Sequence, residues 1–103
     1  MRNLQFVVEG QKLSPTGDFS GIVRGTKNYL RCQFKFVDTD WSGMVVAAVF
    51  EKRGIEYPVL IDSNRTCVIP EEVTSEKSFR LNLIGKTGNR IIKTNKLLLS
   101  QEG

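Results

Sequence analysis

The segment from Tyr29 to Phe36 alternates strictly: Leu30, Cys32, Phe34 and Phe36 fall on one side, and Tyr29, Arg31, Gln33 and Lys35 on the other. A period of two sustained over this length describes a strand with one buried and one solvated face, and no helix can satisfy it. The same alternation recurs in Leu4, Phe6 and Val8 near the start, and in Phe79, Leu81 and Leu83 near the end. The run Met44–Phe50 is apolar throughout; its three valines and short length favour a buried strand over a buried helix. Residues 56–61 and 65–69 continue from it as a three-segment meander, joined by the tight connections Lys52-Arg53-Gly54-Ile55 and Asp62-Ser63-Asn64. Gly21–Arg24 has the length of a short strand, and Arg90–Leu99 reads as one last strand after a hairpin loop at Gly85–Asn89. Ser14-Pro15-Thr16-Gly17-Asp18 reads as a loop. Pro70-Glu71-Glu72-Val73 reads as one helical turn, with proline first and acids at its positive end. About eight short strands and no long 3.6-residue period predict an all-β antiparallel sandwich or barrel, a single domain over residues 1–103. Polar outer faces predict no large exposed apolar patch and a monomer in solution.

Composition narrows the chemistry. The chain has no histidine, which removes the usual neutral-pH base and the commonest metal ligand. Its two cysteines have neither a nearby base nor enough partners for zinc. With no secretory segment the protein is expected in the cytosol, where Cys32 and Cys67 stay reduced as core thiols. For the same reason the acceptor-like Asn64-Arg65-Thr66 is a chance match. No apolar stretch approaches the roughly 18 residues of a membrane span. Asp38-x-Asp40-x-Ser42-Gly43 begins like a calcium loop, but its twelfth position is Val49, where a bidentate glutamate is required. Gly85-Lys86-Thr87 ends like a phosphate loop, but Arg80 stands where the leading glycine belongs. No enzyme activity and no cofactor are expected.

Fifteen basic against eleven acidic residues give a net charge of +4, and the excess is local. Residues 77–96 contain Lys77, Arg80, Lys86, Arg90, Lys93 and Lys96 and no acid. The basic face of Arg80, Lys86, Arg90, Lys93 and Lys96 is the candidate interface. Few aromatics accompany it, so single-stranded nucleic acid, which needs stacking platforms beside the charge, is disfavoured. Trp41, at a turn before a strand, is expected half-buried, and Tyr29 exposed.

Several pieces in order resemble a known domain. They are Leu4-Gln5-Phe6-Val7-Val8 with Gln11, Lys27-Asn28-Tyr29-Leu30, Phe34-Lys35-Phe36, Asp40-Trp41-Ser42-Gly43 and Ala48-Val49-Phe50. Val59-Leu60-Ile61-Asp62, Asn64–Val73 and Arg90-Ile91-Ile92-Lys93-Thr94-Asn95 complete the set. Together they resemble the N-terminal β-sandwich domain of structural proteins from phages of Gram-positive hosts, of the baseplate upper protein and head-fibre type. The resemblance implies an immunoglobulin-like sandwich with an architectural role in the virion, assembled in the host cytoplasm. Such a domain docks a fibre or receptor-binding module to the baseplate, tail or capsid. Its partners would be other phage structural proteins, with copies arranged on a symmetric platform and modest contacts adding up. Baseplate relatives continue into a helical stalk, which this sequence does not contain. The competing reading is a binding module outside the virion, taking nucleic acid or glycan on the basic C-terminal hairpin.

Overall fold

The computed structural model describes residues 1–102. In chain order the elements are β1 (Arg2–Glu9), β2 (Lys12–Thr16), β3 (Leu30–Phe36), β4 (Val45–Lys52), β5 (Ile55–Leu60) and β6 (Thr66–Val68). The helical turn α1 (Glu71–Thr74), β7 (Ser78–Thr87), β8 (Arg90–Lys93) and β9 (Leu97–Ser100) follow. They form a two-sheet β-sandwich. The first sheet has the order β2-β1-β3-β6; the second runs β5-β4-β7-β8, with β9 also paired to β7.

The alternating residues make the core. Leu4, Phe6 and Val8 of β1 and Leu30, Cys32 and Phe34 of β3 point inward from the first sheet. Val46, Ala48 and Phe50 of β4 and Phe79, Leu81 and Leu83 of β7 meet them from the second. Phe6 stacks on Phe34 at 5.2 Å between ring centroids.

Five expectations about how the segments pair change. First, β1 and β3 are parallel, paired from Arg2↔Leu30 to Val8↔Phe36, while every other strand pair is antiparallel. The chain must return to the starting end before β3, and residues 17–29 make that journey. Second, Gly21–Arg24 is not a strand. Val23 makes one isolated bridge to Glu102, and Ile22 is buried beside it. Third, Ser14–Thr16 belongs to β2 rather than to a loop. Pro15 is tolerated because β2 is an edge strand and position 15 faces away from β1. Fourth, the meander stops after two strands. β4 and β5 pair, but β6 crosses to the first sheet and sets Cys67 opposite Cys32. Alternation shows which residues are inward, and carries no mark of which sheet they join.

Fifth, the last segment is two strands. Ile84 faces Lys93 and Leu81 faces Leu97, so two residues of β7 oppose three, Thr94–Lys96. That extra residue is a β-bulge, which bends a strand and re-aims its side chains. The Leu83 N–H donates to Thr94 Oγ1 at 2.9 Å, and the Thr94 N–H to Leu83 O at 3.0 Å. Asn95 is thereby turned toward the other sheet. Its Oδ1 accepts the Leu13 N–H at 2.7 Å and its Nδ2 donates to Leu13 O at 3.2 Å. The Asn95 backbone N–H also donates to Gln11 O. One side-chain amide pairs with β2 as a neighbouring strand would, and closes that side of the sandwich.

The expected one-turn helix is present, with Pro70 as its N-cap rather than its first residue. Trp41 is fully buried at 1% exposure, not half-buried, and its Nε1–H donates to Gly10 O at 2.8 Å. Its ring lies on Gly85, which sits inside β7 rather than in the hairpin loop. The turn itself is Gly88-Asn89, with Gly88 at φ 53°.

Other edges are blocked in part. Ile61 donates to Val46 O, so by the antiparallel alternation Glu56, Pro58 and Leu60 direct their backbone away from β4. Pro58 has no N–H to offer there. At β6, Asp62 Oδ1 accepts the Thr66 N–H and the Asp62 N–H donates to Thr66 O. At β8, Gln11 Nε2 donates to Lys93 O.

Candidate functional site

The five candidate cations do not share one face. Arg80 and Lys86 alternate with the buried residues of β7 and so project from the outer side of the second sheet. Lys93 is opposite Ile84 and projects the same way. Lys96, beside them in the bulge, places its Nζ 3.1 Å from Glu51 Oε1 and is neutralised. Arg90 is opposite Thr87, one step out of register, and lines a different recess with Gly10, Gln11 and Asp40. The pattern Arg90, Lys93, Lys96 has a spacing of three, which a strand splits between two sides. Among the described residues, Arg80, Lys86, Arg90 and Lys93 have no carboxylate within ion-pair distance.

What the cations border is apolar, and this overturns the expected polar outer faces. The run Met44–Phe50 supplies β4, and a strand made only of apolar residues has two apolar sides. Val46, Ala48 and Phe50 enter the core, whereas Val45, Ala47 and Val49 line the outer side. Pro58 and Leu60 of β5 and Ile84 of β7 extend that side into an open trough of about 580 Å³. Val45 is 65% exposed and Leu60 69%; Ile91 and Leu98 are exposed beyond the trough. An uncovered apolar face of this kind on a water-facing sheet marks a contact surface. The signal was present as Val45-x-Ala47-x-Val49 interleaved with the core set, but a continuous run also fits a strand covered on both sides. The first sheet is different. Its outer side carries Asn3, Gln5, Glu9, Arg31, Gln33 and Lys35, and Gln5 Nε2 donates to Gln33 Oε1 at 3.2 Å.

The other sequence candidates have structural employment. Asp38 Oδ2 accepts the Gly10 N–H at 2.7 Å and Oδ1 accepts the Asp40 N–H, so the calcium-like turn uses this carboxylate to hold its own backbone. No cluster of three or more metal-ligating side chains occurs among the described residues. Cys32 and Cys67 are buried free thiols. Burial first, then the neighbouring Cys67, pushes the Cys32 thiol far above its ordinary value, which leaves it unreactive. Tyr29 is exposed, as expected, and stands at the start of β3 rather than near the trough. The Asp62 carboxyl is held below the usual carboxylate range by the Thr66 N–H, then the Thr66 hydroxyl, then the Asn64 N–H.

The arrangement is thus a side-chain-lined apolar face with cations at its margin, on a sandwich whose strand edges are blocked in part. It suits binding by surface complementarity rather than by strand addition. No protein-family model matches the chain, and the curated protein sequences hold no significant match to it.

Proposed function

We propose that this domain is an architectural part of a bacteriophage particle, docking a fibre or receptor-binding module to the baseplate, tail or capsid without catalysing a reaction. The observation that carries the docking role is the apolar outer face of the second sheet, with Arg80, Lys86 and Lys93 at its margin. The particle as its setting is supported by the ordered sequence resemblance, from Leu4–Val8 to Arg90–Asn95. Repetition of a modest contact on a symmetric platform gives firm attachment from a face of this size. The alternative of a nucleic-acid or glycan module loses ground here: the trough has no aromatic lining, and the one tryptophan is buried.

Antibody-gold labelling of particles purified from the source lysate tests the reading. Label at the tail tip or on the head is the expected result. Protein found only free in the lysate overturns it.

A further inference from the structure

We propose that the outer face of the second sheet receives a second copy of this chain, packed face to face about a two-fold axis that runs parallel to the strands. The proposal rests on reading that face as a protein contact: its partner is a second copy, and the pair is then the unit that docks, wherever the protein resides.

Three features converge. Apolar ground crosses every lane of the sheet, from Leu60 on β5 through Ala47 on β4 and Ile84 on β7 to Ile91 on β8. Four lanes about 4.8 Å apart and about 25 Å long give roughly 500 Å² per copy, ~1,000 Å² for a pair. That reaches the lower bound for a specific interface. Next, prolines and side chains block part of the strand edges, which favours the faces as the means of association.

Charge then selects the axis. Glu56 lies on the β4–β5 half of the face, and Arg80, Lys86 and Lys93 on the other half, while Glu51 and Lys96 already pair with each other across the divide. A two-fold parallel to the strands exchanges the halves, so the acidic half of each copy covers the basic half of its mate. A two-fold across the strands would instead lay Lys86 over Arg80. With the parallel axis, Ala47 and Ile84, cross-strand neighbours in the two central lanes, flank the symmetry centre. Lys86 and Lys93 stand at the perimeter, where their stems cover apolar ground and their ammonium groups reach water. The contact is isologous and closes at two copies. The twist of each sheet sets the two strand directions about 30° apart, and the two-fold axis bisects that angle, so it runs along the strands only on average.

Sedimentation velocity on the full chain, from about 2 to 200 µM, reads the association directly. The expected result is a monomer–dimer equilibrium with a micromolar Kd. Leu60→Asp and Glu56→Lys, both at exposed positions, each weaken it at least tenfold. Gln5→Asp, on the outer side of the first sheet, leaves it unchanged. Far-UV circular dichroism melts matching the parent show that each variant is folded. A monomer throughout the range overturns the proposal, as does a dimer indifferent to both Leu60→Asp and Glu56→Lys. Particle labelling is independent of either result: labelled particles with a monomeric protein remove the self-contact and keep the virion role, and a dimer with unlabelled particles does the reverse.

Discussion

Gly85 is a small residue with a large constraint. A Cβ there would stand 2.7 Å from Cε3 and Cζ3 of Trp41 and 2.9 Å from Sδ of Met44. Its backbone is ordinary for a strand, so contact and not conformation excludes a side chain. Gly85→Ala should destabilise the fold by about 1–3 kcal/mol, the usual cost of overpacking, measured by urea unfolding followed by Trp41 fluorescence. From the sequence, Gly85 had the look of a loop glycine and Trp41 of a turn residue, because their contact spans residues far apart in the chain. Asp62 offers a second test. Its carboxyl lies below its ordinary value of 3.8, so it stabilises the fold above that value and loses the contribution as pH falls through the lower folded value. Asp62→Asn should therefore be less stable than the parent at neutral pH. The gap should narrow as a titration of stability proceeds from about pH 4 to 2. A gap constant over that window would show the carboxylate to be uninvolved.

At the level of elements, the bulge at Thr94–Lys96 does what a straight strand cannot. It divides one long strand into β8 and β9 and frees Asn95 to reach the other sheet. Asn95→Ala leaves the Leu13 N–H and C=O without their partners, at a cost of about 1–3 kcal/mol. Amide exchange at Leu13 should quicken accordingly, while exchange at Leu83, held by Thr94, should stay slow. Such arrangements explain which elements were legible. β1, β3 and β7 declare themselves by alternation within one segment, and the hairpin β4–β5 by Arg53-Gly54, whose φ values of 49° and 78° suit a two-residue turn. The parallel partner of β1, the sheet that β6 joins and the bulge all depend on contacts between distant segments. The proposed docking face was half visible: its cations by composition, its apolar ground only once β4 had a covered and an uncovered side.

In the molecule as a whole, the C-terminal segment is tied down at two places. Val23 bridges Glu102, and Gln101 Nε2 donates to the carbonyls of Thr74 and Glu76, tying the terminal segment to the α1 region. β9 also covers β7 from Ser78 to Leu81, over the buried Phe79 and Leu81. Ending the chain after Lys96 should abolish cooperative thermal unfolding and raise the fluorescence of a hydrophobic dye, the mark of a loosened core. A sharp melt close to that of the full chain would show that the terminal segment is dispensable. The blocked stretches of strand edge matter most under crowding. Where many copies are held side by side, an open edge invites runaway cross-β growth from one molecule to the next. Pro15, Pro58, the Asn95 amide and Asp62 obstruct that route along β2, β5 and β6, which favours discrete, countable units under dense packing.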